Sequence, residues 1–118
     1  MLDFGALKTA KKKSDVNVVD RKKEAEEIYK TTFEEFVKIY SLDDETKVDY
    51  KKLEEIANKF NEVIERDSKK VEAYVCLSYI FLLIQDEKNA YNMLEVAETI
   101  DPNSKDVIDL KKIFSQGE

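Results

Sequence analysis

Chain-breaking residues are almost missing here: the 118 residues contain two glycines and one proline. Folds made of strands and tight turns need Gly, Pro and Asn-Gly pairs at regular spacing, so this scarcity argues against them. Lys, Glu, Leu, Ile and Ala are abundant, and all of them tolerate or favour helix. Apolar residues recur at three- and four-residue steps, the period of one helix face. The expected fold class is therefore all-α. The length has room for one domain that buries a core without metal or disulfide staples.

The stripes divide the chain into about five helices. Residues 1–19 show no sustained period and read as a flexible basic tail, leaving 20–116 as a single helical domain. Over 20–40 the stripe is Ala25, Ile28, Tyr29, Phe33, Phe36, Val37 and Tyr40, with Asp20 as N-cap and Glu24 in the first turn. Residues 41–47 break the pattern and read as a loop. A second helix over 49–66 carries Leu53, Ile56, Ala57, Phe60, Val63 and Ile64. The third, over 70–84, is apolar almost all the way round from Tyr74 to Ile84, which marks a helix buried on several sides. The fourth, over 88–100, offers Ala90, Tyr91, Met93, Leu94, Ala97 and Ile100. Pro102 ends it, because the ring and the restriction it places on Asp101 stop the hydrogen-bond ladder. Ser104 can cap a fifth helix over 105–114 with Val107, Ile108, Leu110, Ile113 and Phe114 as apolar contacts, and 115–118 read as a frayed end. Short turns between helices make neighbours antiparallel.

Charge and chemistry narrow the function. The net charge is −6, which opposes a nucleic-acid role, since phosphate contacts need clustered Lys and Arg. The charge is uneven: Lys8, Lys11, Lys12, Lys13, Arg21, Lys22 and Lys23 against Asp3, Asp15 and Asp20 give residues 1–23 a net +4 and leave −10 for the remainder. With Leu2, Phe4 and Leu7, the basic stretch could touch a lipid surface, but it is too short to hold one firmly. The longest apolar run, 80–84, falls far short of a membrane span, and no signal peptide is visible at the start. A cytoplasmic setting is expected. The chain has no histidine. Its one cysteine, Cys76, cannot form an internal disulfide and reads as a small buried hydrophobe. No Gly-rich phosphate loop, serine elbow or calcium-loop spacing occurs. Acidic pairs such as Asp43-Asp44 and Glu54-Glu55 read as solvated surface. No catalytic residue, metal site or cofactor is expected.

An internal period carries the rest. The segment beginning at Asp67 resembles the one beginning at Asp101, and the pairs Phe60/Leu94 and Val63/Ala97 keep the same spacing. A period near 34 with two helices per unit marks tetratricopeptide repeats. Residues 71–104 resemble one full repeat of that family: Tyr74 at the large aromatic or aliphatic position, Leu77 and Ser78 at the leucine and small positions, Phe81 at the tyrosine position, then Ala90, Leu94, Ala97 and the closing Pro102. Small side chains let the two helices of a hairpin approach, and the large ones fill the gaps between. Gln85 stands where the family often has glycine. In the preceding unit Ser68 replaces the proline, and the loop before its second helix is long.

The resemblance implies antiparallel hairpins stacked as a short superhelix, with the first helix of each unit lining a concave groove. It implies a non-enzymatic adaptor that holds a peptide or amphipathic helix of a partner protein, with Glu72, Val75, Tyr79 and Leu82 as groove residues. Chaperone-binding members grip a carboxylate with Lys and Asn where this chain has Val75 and Tyr79, so an apolar or amphipathic ligand suits it better. Two alternatives stay open: a small acidic chaperone of the secretion type, and a subunit that self-associates into a homodimer through the apolar third helix or the terminal helix.

Overall fold

In a computed structural model the chain is all-helical. The structure describes the backbone of residues 4–40 and 49–116, and side chains over 19–39 and 49–116. The helices are α1 (Phe4–Tyr40), α2 (Tyr50–Arg66), α3 (Val71–Leu83), α4 (Glu87–Ile100) and α5 (Lys105–Gln116).

Local signals set most of the boundaries. The Asp49 carboxylate accepts the Lys52 N–H at 3.1 Å and caps α2. Asp86 does the same for α4 through the Asn89 N–H at 3.2 Å. The Ser104 hydroxyl faces the Val107 N–H at 3.5 Å and starts α5. The first helix differs from the sequence expectation. Its backbone is helical from Phe4, so Asp20 lies inside α1 instead of capping it. After Gly5 nothing breaks the chain before the packed part of the helix, and elongation of an existing helix is cheap compared with starting one. Of the flexible basic tail read over 1–19, residues 1–3 lie outside the described residues and over 4–18 only the backbone is described, while the 41–47 loop lies wholly outside them.

Two hairpins form the body. In α1–α2, Glu35 meets Lys59 at 3.2 Å, Glu24 meets Arg66 at 3.1 Å, and the Arg21 guanidinium donates to the Glu65 carbonyl at 3.0 Å. These contacts run antiparallel. In α3–α4 the small residues Ser78, Ala90 and Ala97 are fully buried, and the Ser78 hydroxyl donates to the Ala90 carbonyl at 2.7 Å. Small side chains thus sit where the two backbones approach. Helix α2 joins the hairpins by packing on α3, and α5 rests on α3 and α4. One core cluster (Ala25, Phe36, Leu53, Ile56, Phe60, Val63, Ala73, Cys76, Leu77, Ile80) unites α1, α2 and α3; the other (Val71, Tyr74, Val75, Leu94, Ala97, Val107, Leu110) unites α3, α4 and α5. Helix α3 contributes to both, which is why its apolar residues encircle it.

The repeat period is present in the backbone. Asp67 ends α2 at φ −145°, ψ 90°, and Asp101 ends α4 at φ −149°, ψ 89°. Their N–H groups bond to the carbonyls of Val63 and Ala97. Each carboxylate then accepts a backbone N–H two residues on, from Lys69 at 3.2 Å and from Asn103 at 3.1 Å. The α3–α4 turn is different. Gln85 has φ 62°, its N–H bonds to the Leu82 carbonyl, and the Asp86 N–H bonds to the Phe81 carbonyl. This is a Schellman closure, whose left-handed position glycine fills without steric cost.

Candidate functional site

The alternation of hairpins leaves α1, α3 and α5 side by side along one face. Between them runs a cleft of about 290 Å³ lined by Tyr29, Phe33, Phe36 and Val37 of α1, Glu72, Val75, Cys76 and Tyr79 of α3, and Asp106 of α5.

The α1 wall arises from a stripe wider than its packing needs. Ala25, Thr32 and Phe36 are buried, while Phe33 and Val37 lie further round the helix and each keep 40 % exposure. Tyr29 stacks on Phe33 one turn away, with ring centroids 5.6 Å apart and 24° between planes. It also leans on Phe60 at 6.0 Å, which anchors the pair in the core. Such aromatic pairs add stability beyond area burial and hold both rings in place. On the facing wall Val75 is buried and Tyr79 half-buried.

The end of the cleft near the start of α3 is closed by charge. The Lys70 ammonium pairs with Glu26 and, at 3.0 Å, with Glu72, and stands 4.9 Å over the Tyr29 ring. Burial works against that cation, but its hydrogen bonds to the two glutamates outweigh it and hold the Lys70 pKa above the ordinary lysine value. The same hydrogen bond holds Glu26 below the usual carboxylate value against its own partial burial. The floor is chemically quiet. Burial pushes the Cys76 thiol up to about 12, against a hydrogen bond from the Tyr29 hydroxyl, so it is protonated near neutrality. Burial, followed by the proximity of Cys76, raises the Tyr29 hydroxyl as well.

Of the four groove residues expected from sequence, Glu72, Val75 and Tyr79 line this cleft together. Leu82 does not: it packs partly buried against the cluster shared by α3, α4 and α5. Sequence reasoning passed over Phe33, Val37 and Asp106 as lining residues. Asp106 had a signal, since it lies one repeat period after Glu72. Phe33 and Val37 had a weaker one, in that the α1 stripe holds more large apolar residues than one packed face can bury.

Among the described residues no group of three or more His, Cys, Asp or Glu could hold a metal ion, and no helix is long and apolar enough to cross a membrane. No family model, curated protein or solved structure matches the chain.

Proposed function

We propose that the protein is a non-enzymatic interaction module of tetratricopeptide type, and that the cleft between α1 and α3 receives an extended or helical segment of a partner protein. The observation that carries this reading is the exposed aromatic and aliphatic wall, Phe33 and Val37 beside Tyr29, facing Val75 and Tyr79 across an open groove. Large side chains left in a concave, otherwise well-packed surface are the usual anchors of a binding site. The repeated loop geometry at Asp67 and Asp101 supports the family reading, because it builds successive hairpins on one register. The protonated Cys76 thiol and the absence of histidine from the chain favour binding over catalysis.

The test is affinity capture with quantitative mass spectrometry, comparing wild type with Phe33→Asp and Tyr79→Ala. Partners held in the cleft should fall away in both variants while circular dichroism stays unchanged. A partner list indifferent to both substitutions would remove the assignment.

A second reading, self-association, draws on the outer face of the α4–α5 end, where Tyr91 and Ile108 are among the exposed large apolar residues. Sedimentation that shows a concentration-dependent dimer, abolished by Ile108→Lys, would favour it over the adaptor reading.

A further inference from the structure

The groove is asymmetric across its width. The α1 wall is aromatic and aliphatic, and the acidic residues lie toward α3 and α5. Glu72 and Asp106 occupy the same position of the repeat register, yet their surroundings differ. Glu72 is paired with the Lys70 ammonium at 3.0 Å, which it shares with Glu26. Asp106 is exposed and, among the described residues, forms no ion pair. One turn further along α5, Asp109 stands in register with Val75; after it, Ile113 stands in register with Tyr79 and keeps 37 % exposure. Asp106 lines the groove, and Asp109 and Ile113 follow it along α5 at the next register positions, on a body that is net negative once residues 1–23 are set aside.

We propose that the occupant of the groove is an apolar segment of a partner protein that carries lysine or arginine along the side facing α5, opposite Asp106 and Asp109. This rests on the binding reading above and adds to it a charge and a direction. Apolar side chains of the segment cover Phe33, Val37 and Tyr79, while its cations meet the two α5 carboxylates, which form no ion pair among the described residues. A basic segment is also drawn in by the field of the acidic body, and an acidic one meets like charge along that edge.

The test uses the full chain and two fluorescent amphipathic peptides with identical leucine spacing, one filled with lysine and the other with glutamate, read by anisotropy. The lysine peptide should bind about tenfold tighter or better, with the advantage shrinking at high salt. Asp106→Lys combined with Asp109→Lys should erase or reverse the preference. Glu62→Lys combined with Glu65→Lys, the same charge change placed on α2, should keep it. Phe33→Ser, which removes the ring without adding charge, should weaken both peptides. Circular dichroism confirms the helix content of each variant. Equal affinity of the wild type for the two peptides, or equal loss in the α2 and α5 variants, overturns the charge assignment and leaves the groove standing. Lysine-peptide binding that ignores Phe33→Ser overturns the groove itself. Displacement of the lysine peptide by a peptide of residues 1–18, together with a dimer in sedimentation, would make the occupant a second copy of this chain and overturn the partner assignment.

Discussion

Helices α3 and α5 occupy equivalent places one repeat period apart, yet one is enclosed and the other lies at an edge. Tyr74 of α3 is 9 % exposed, and its hydroxyl donates to the Ser68 carbonyl at 2.9 Å; its counterpart Ile108 in α5 is 42 % exposed. Lys70 starts α3 with no side-chain cap and is tied instead to Glu26 of α1. Its counterpart Ser104 starts α5 with its own hydroxyl. The same register therefore yields a helix held by neighbours and a helix held by local chemistry. The number of packed neighbours, more than the residue type at a register position, decides how much a side chain contributes to stability.

Substitutions at paired positions would break or sharpen that contrast. Tyr74→Ala should cost about 3 kcal/mol, since it removes a large buried ring and a hydrogen bond. Ile108→Ala at the equivalent position should cost about 0.5 kcal/mol or less. Urea unfolding of the two variants measures the gap, and equal costs would show that α5 is as enclosed as α3.

Ser78→Ala should cost about 1 kcal/mol by removing the buried hydrogen bond to Ala90 without changing volume much. Lys112, its counterpart in the next unit, is exposed, so Lys112→Ala should leave the midpoint nearly unchanged. Gln85→Gly acts in the opposite direction. It relieves the left-handed backbone that closes α3, and thermal melts should show a gain of up to about 1 kcal/mol.

The smallest effect concerns the tether of α3 to α1. Glu26 is depressed in the folded state, so its contribution is present above the ordinary value of 4.5 and fades as pH falls through the folded pKa. Lys70 is raised, so its contribution is present below the ordinary value of 10.5 and fades as pH climbs through the raised one. Glu26 keeps 43 % side-chain exposure, so solvent screens the pair and Glu26→Gln should lower stability by less than about 1 kcal/mol at pH 7. That difference should shrink in denaturant titrations run below pH 4.5. A constant difference across pH would mean that the ion pair does not stabilise the junction.

The amino-acid sequence by itself determined the helical class, the positions of α2 to α5 and the recurrence of one hairpin register. Each of these is written in local terms: apolar spacing, the Asp49, Asp86 and Ser104 caps, Pro102, and the paired Asp67 and Asp101 turns. It also pointed to α3 as the centre, because a helix apolar on every side must be covered on every side. Tertiary structure decided what local spacing cannot encode. Phe33 and Val37 belong to the same stripe as Phe36, yet only the packing of α1 against its neighbours leaves them lining an open cleft. Leu82 matches a groove position in register, but packing draws it into the second core. Glu72 and Asp106 are chemically alike; the placement of Lys70 beside one and not the other makes them different, because charge is satisfied by neighbours in space and not by neighbours in sequence.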